Sequence, residues 1–233
     1  MNTKKILGGA ALAASAVSLA VAPAALAGAT LPKVSVRVEG KTKTLLRAAD
    51  VRPKPGWITR YGAPKHACST DTVQGALGVA TKGRWKGTWY TSYREYLITG
   101  ILGETESGVK NYWEVFVGHV AASAGACELA LQRGEHVLFA AVPSTGKAEL
   151  PTGITGPTGG AKLGVPFTVH VVLYNAKGKP HPLSGATVKG GGLTATTNAK
   201  GNATLVATKT GKLVLTASHK AEIRSETVVK IAS

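Results

Sequence analysis

NYWEVFVGHVAASAGACELALQRGEHVLFAAV, Asn111 to Val142, is the stretch that decides the fold of the first part of this 233-residue chain. Its opening alternates in the manner of a strand and runs into Gly118-His119, a turn dipeptide. After a second turn at Arg133-Gly134 it closes on HVLFAAV, which predicts a final strand over Val137 to Val142. Trp113 and Phe116 are separated by an odd number of residues, so they point to opposite faces of their strand. One of them is expected in the core, the other exposed or covered by the crossover that carries Cys127.

Upstream, VSVRVEG (Val34 to Gly40) alternates as a strand, and KTKTLLRAADV can return as its hairpin partner. In STDTVQGALGVATKG, Val73, Ala76, Leu77 and Ala80 recur at i, i+3, i+4 and i+7, which predicts one short amphipathic helix. Asp71 and Gln74 stand at capping-box spacing before it, while Gly75 and Gly78 weaken it. WKGTWYTSYREYLITGILG adds one or two strands. Two strands, a helix and three or four further strands make an α+β domain with one short helix on one face of the sheet.

The chain changes character near residue 144. All four Trp, five of six Tyr and two of three Phe precede it. Residues 28–150 carry 16 basic and 10 acidic side chains, whereas residues 151–233 carry 10 and 2. Between the two parts lies a stretch rich in Pro, Gly and Thr, read as a linker over residues 144–160. Beyond it, GVPFTVHVVLYN, GATVKGGG, LVLTASH and TVVKIA read as strands, and LTATTNAKGNATLVA as a hairpin across Asn198 to Gly201. Turn signals every ten or so residues predict a small all-β sandwich over residues 161–233.

MNTKKILGGAALAASAVSLAVAPAALA, residues 1–27, has the pattern of a signal peptide: Lys4 and Lys5, an apolar run from Ile6 to Val21, then Ala25-Leu26-Ala27. The expected mature chain starts at Gly28 rather than at a lipid-bearing Cys, and no later stretch is long and apolar enough to span a bilayer. A secreted or extracellular location follows, with wall association as a variant of it. Without residues 1–27 the charge is 26 Lys and Arg against 12 Asp and Glu, or +14. That balance favours anionic surroundings such as wall polymers, and it also serves plain solubility. Cys68 and Cys127 are the only cysteines, and an even pair in an oxidising compartment reads as one disulfide. Neither has a second Cys or a His at zinc-finger spacing, so no metal is expected.

Taken in order, VSVRVEG, TVQGALGVA, YLITGILG and the block from Asn111 to Val142 resemble the transcobalamin-C-terminal-like domain of bacterial exported proteins, a family of unknown function. The resemblance covers residues 33–143 and implies a β-grasp-like core for the domain over residues 28–143. Gly118-His119 and Gly134-Glu135 stand where the family has an Asn-Gly type turn and a Gly-Asp turn. In transcobalamin-like proteins such a domain covers one face of a cobalamin held by a separate helical domain. This sequence has no such helical partner, so cobalamin is not an expected ligand. In the second part, PLSGATV, ATTNAKGNATL and KTGKLVLTASH resemble bacterial Ig-like and carboxypeptidase-regulatory-like sandwiches, which implies a spacer or adhesion role.

Catalytic patterns do not emerge. GxSxG, HExxH and SxxK with their partners are missing, the six His are scattered, and Asp50 and Asp71 are the only aspartates. Glu104 and Glu106 are a carboxylate pair that a solvated loop after Gly103 explains more simply than general acid-base work. The richest segment is RWKGTWYTSYREY, where Trp85, Trp89, Tyr90 and Tyr93 interleave with Arg84, Lys86 and Arg94. With Trp113, these rings are candidates for stacking on a ligand, although a half-buried sheet uses aromatics for its core as well. Nucleic acid is disfavoured by export and by the lack of a recognition motif. The expectation is a non-enzymatic binding module without a cofactor, its first domain for recognition and its basic second domain as spacer or wall-adherent unit. Anionic wall polymers or surface glycans are the expected partners. A structural or adhesive protein without a small ligand, and an enzyme of unrecognised type, are the alternatives.

Overall fold

The computed structural model of the protein describes residues 30–233, so the signal peptide assigned to residues 1–27 lies outside the described residues. The first part contains β1 (Val34–Glu39), β2 (Thr44–Val51), β3 (Trp57–Ile58), β4 (Cys68–Ser69), α1 (Val73–Ala80) and β5 (Trp85–Tyr90). It continues with β6 (Glu95–Ile101), β7 (Glu104–Thr105), β8 (Asn111–Val117), β9 (Val120–Ala121) and β10 (His136–Pro143). The second part holds β11 (Thr152–Thr155), β12 (Ala161–Lys162), β13 (Pro166–Tyr174), β14 (Pro180–Pro182) and β15 (Thr187–Gly190). After these come β16 (Leu193–Thr196), β17 (Asn202–Val206), β18 (Gly211–Ser218) and β19 (Ser225–Ala232).

A mixed sheet in the order β2-β1-β10-β8-β9 organises the first part. Its centre is the parallel pair β1 and β10, with Val36 opposite Val137 and Val38 opposite Phe139. Parallel neighbours require a crossover, and here the whole intervening chain provides it. Val137 and Phe139 enter the core shared with Val36, Leu77 and Trp113, while Leu138, Ala140 and Val142 point the other way, beside Phe116. A nearly continuous apolar run is what a strand buried on both faces needs.

The helix forms where the apolar spacing places it, with Val73, Ala76 and Leu77 fully buried. Its cap is Thr72, whose Oγ1 accepts from Gly75 N–H at 3.4 Å, and not Asp71. Thr72 is extended and bridged to Ala130, which shifts the start by one residue and turns Gln74 into the interior instead of back toward a cap. Gly75 weakens the helix in isolation, yet a Cβ there would lie 2.1 Å from the Thr70 carbonyl oxygen. Glycine is the residue that this close approach admits. A three-stranded sheet, β5-β6-β7, adds Trp85, Tyr96, Ile98 and Ile101 to the same core. Cys68 and Cys127 form a disulfide that ties β4 to the crossover before β10, with Cα atoms 5.3 Å apart.

In the second part, β11, β13, β14 and β17 form one sheet and β12, β19, β18, β15 and β16 another. Val169 and Leu205 of the first and Val188, Leu215 and Val229 of the second meet in one core, an arrangement compatible with a small all-β sandwich. The expected hairpin across Asn198 to Gly201 is corrected. The turn exists, with Gly201 N–H donating to Asn198 O at 2.8 Å, but β16 pairs with β15 and β17 with β13. Buried Thr197 secures the crossing by accepting from Ala186 N–H and donating to Leu183 O. The strands therefore part to opposite sheets.

The stretch 144–160, read as a linker, is not irregular throughout. Thr152–Thr155 is a strand paired with β13; it buries Ile154, and Thr152 Oγ1 donates to Ile223 O at 2.7 Å. Four residues are too short for their alternation to stand out among prolines and glycines. Phe116 differs from expectation as well. Both it and Trp113 are buried, and Ile223 from the second part lies with Phe116 where the Cys127 crossover was the expected cover.

The two parts meet through a polar rim around that apolar contact. The His119 ring, on a left-handed turn residue, stacks on Tyr174 with centroids 3.6 Å apart. Arg224 donates to Gly40 O at 2.7 Å and stands 3.5 Å from Glu39, which Arg37 approaches at 3.6 Å. These separations are long for buried ion pairs, so desolvation dominates. It pushes the Glu39 carboxyl up from 4.5 to about 7 and lowers Arg37 despite their mutual attraction. Burial, then His136 and Arg37, hold His119 down at about 4.

Cys127→Ser should cost about 4 kcal/mol in denaturant melts, the loop-closure value for a 59-residue separation. Reduction should release two thiols countable by intact mass after alkylation. For Glu39, the folded carboxyl keeps its proton up to about pH 7 whereas the unfolded one releases it near 4.5, so rising pH through that window lowers stability. His119 works in the opposite sense, weakening the fold as pH drops from 6.5 toward about 4. The difference between Glu39→Gln and wild type removes the histidine contribution. It should move in favour of the variant by on the order of 3 kcal/mol as pH rises across the Glu39 window.

Candidate binding surface

Of the five rings singled out in the sequence, Trp85 and Trp113 are buried and Trp89 is half-buried. Trp85 and Trp89 both meet Tyr96 edge to face, at 5.1 and 5.0 Å between centroids. Those rings are packing. Tyr90 and Tyr93 are exposed and line a shallow, open hollow of about 280 Å³ with Leu97 at the tip of the β5-β6 hairpin. Trp113 lies on another strand and does not join them. The stacking set proposed from the sequence is thus divided between a core and a surface.

The carboxylate pair is also employed in structure. Glu104 accepts from Lys41 N–H at 2.6 Å, and Glu106 is buried with Lys41 Nζ at 3.2 Å. A solvated loop does not describe Glu106. Glu95 accepts from the N–H groups of Tyr96 and Cys127 at 2.7 and 2.8 Å, and burial raises its pKa. Glu104 and Glu95 hold backbone in place, and Glu106 is held by an ammonium. Among the described residues no group of three or more His, Cys, Asp and Glu is placed to hold a metal ion, and no helix is long and apolar enough to cross a membrane.

The concave surface lies elsewhere, around Arg60. Its guanidinium sits over the rings of Tyr61 and Trp85, 4.3 and 4.8 Å from their centroids, and donates to Gly83 O at 3.0 Å. Two hollows adjoin there, both lined by Arg60, Gly83 and Trp85. One, of about 310 Å³, also has Arg84, Lys86 and Glu104 in its wall. The other, of about 360 Å³, is bounded by Trp57, Val79 and the helix glycines Gly75 and Gly78. Among the described residues, neither Arg84 nor Lys86 stands in a salt bridge.

Trp57 is 52% exposed and stacks on His66, with centroids 4.9 Å apart and planes 16° from parallel. Its strand pairs Trp57 with Ser69 and Ile58 with the disulfide-bonded Cys68. Trp57, Arg60, Tyr61 and His66 were not singled out in the sequence. They lie in a stretch broken by Pro and Gly, where no periodicity says which side chains face out. A large ring outside every apolar period was the only available signal.

No protein-family model matches this chain, and no curated protein matches it.

Proposed function

We propose that this chain is a secreted or cell-surface, non-enzymatic binding module. The domain over residues 28–143 carries recognition, and the basic part over residues 161–233 is a spacer or wall-adherent unit. The observation that carries this reading is the Arg60 surface. Trp57, a large ring left half in solvent, stands on open, concave ground near Arg84 and Lys86, which among the described residues are in no salt bridge, and that is how binding sites are built. In the same reading, the first domain is β-grasp-like and the second Ig-like. Adjacent parallel first and last strands with a hairpin on either side and one helix support the former; two sheets sharing one core support the latter.

Charge supports the adherent role. Lys177, Lys179, Lys189, Lys200, Lys209, Lys212, Lys220 and Lys230 are all exposed, and among the described residues none of them stands in a salt bridge. The two carboxylates of this part, Glu222 and Glu226, are paired with Lys147 of the connecting stretch and Arg47 of the first domain. The lysine field is left without local neutralisation and attracts anionic polymers over about a Debye length of 8 Å at physiological salt. Retention of the mature chain on purified cell walls should therefore fall steeply across a salt series. Changing Lys177, Lys189, Lys200 and Lys212 together to Glu should abolish it. Retention indifferent to both changes would overturn the adherent role.

A further inference from the structure

We propose that the Trp57 hollow and the adjoining Arg84–Lys86 hollow form one subsite for an acidic polysaccharide: a pyranose ring stacks on Trp57 while its carboxylate or phosphate substituent reaches Arg84 and Lys86. The inference rests on the binding-module reading and names the ligand class of its recognition part.

Trp57 carries the first half. One ring face is taken by His66, and the ring lines the larger hollow. The C–H face of a pyranose is apolar and slightly positive, and it complements the negative face of an indole. In the same hollow α1 contributes Gly75 and Gly78 beside the single side chain of Val79, which leaves room for a flat, wide ligand. Gly75 is required by the backbone of Thr70, but Gly78 is not: a Cβ there would meet nothing nearer than Trp85 Nε1 at 3.8 Å. The bare helix face at Gly78 serves the hollow. The platform is also rigid before any ligand arrives, because β3 is paired to the strand that carries the disulfide, so little ordering remains to be done on binding.

Charge decides among the ligands that stack on indole. A quaternary ammonium would sit beside Arg60, a like charge that the protein has already placed over Tyr61 and Trp85. An anion is favoured instead. Three cations, Arg60, Arg84 and Lys86, line the smaller hollow against the single carboxylate of Glu104, which is already bonded to Lys41 N–H. Arg84 gives its Nε to Thr81 O at 3.3 Å, so its two terminal nitrogens are the part of the fork left for an acid group.

The test is calorimetry on the full mature chain carrying Glu at Lys177, Lys189, Lys200 and Lys212, which silences the lysine field, with three probes: an oligogalacturonate, a neutral gluco-oligosaccharide and adenosine monophosphate. The oligogalacturonate should bind most tightly, the neutral sugar weakly and the nucleotide least. Trp57→Ala should weaken the acidic sugar about tenfold or more, with Trp57→Phe recovering part of the loss. The double change Arg84→Ala and Lys86→Ala should remove the preference for the acidic sugar together with most of its salt dependence. Gly78→Leu should fill the hollow and abolish binding while leaving the thermal transition at or above that of wild type, which separates occlusion from misfolding. Oligogalacturonate binding undiminished in both Trp57→Ala and Gly78→Leu would overturn this site but not the binding-module reading. Tighter binding of the nucleotide would overturn the ligand class. Wall retention without any binding of the acidic sugar would also overturn the inference alone, whereas loss of both would overturn the two together.

Discussion

Burial of the β1-β10 pair on both faces is the constraint to which the other elements answer. Val36, Val38, Val137 and Phe139 need cover on one side, and α1 with the β5-β6-β7 sheet supplies it through Leu77, Trp85 and Ile101. Leu138, Ala140 and Val142 need cover on the other side, where Phe116 and Ile223 lie. A central parallel strand left bare on either face would present an apolar strip to water, and removing such a strip is favourable by about 25 cal/mol per Å². The second part is thus drawn onto the first by the apolar demand of the sheet, and the polar rim is arranged around that contact.

The rim explains why residues 144–155 are not a free tether. Leu150 N–H donates to Glu222, Ile223 N–H donates to Leu150 O, and Thr152 N–H donates to Ile223 O. Each bond satisfies a backbone or carboxylate group that the apolar contact would otherwise strand away from water. Glu39, Arg37 and Arg224 show the limit of this arrangement. Their separations are too long to recover the full cost of burial, so the cluster sets where the two parts meet more than it adds to stability.

Rigidity at the Arg60 surface has a separate origin. β3 and β4 are two residues each and bury little, so pairing alone would not order Trp57. The disulfide from β4 to the Cys127 crossover and the edge-to-face series through Tyr61, Trp85, Tyr96 and Trp89 fasten this region to the core. The rings nearest in sequence to the basic residues act as its foundation, and the proposed contact surface stands on top of them.

Strands β1, β8, β10 and β13, the helix register of Val73, Ala76 and Leu77, and the disulfide were legible in the sequence. Each depends on local spacing or on there being only two cysteines to pair. The Thr72 cap, the parting of β16 from β17, the β11 strand and the second covered face of the sheet were not legible, because each is decided by a neighbour distant in the chain: Ala130, Leu183, Val172 and Ile223. The same division runs through the candidate site. Composition alone marked the first part as rich in aromatics and cations, but which rings are packing and which face solvent depended on the pairing partners of β3 and β5. Periodicity determines which side chains share a face of their own element; only tertiary contact decides whether that face meets protein or water.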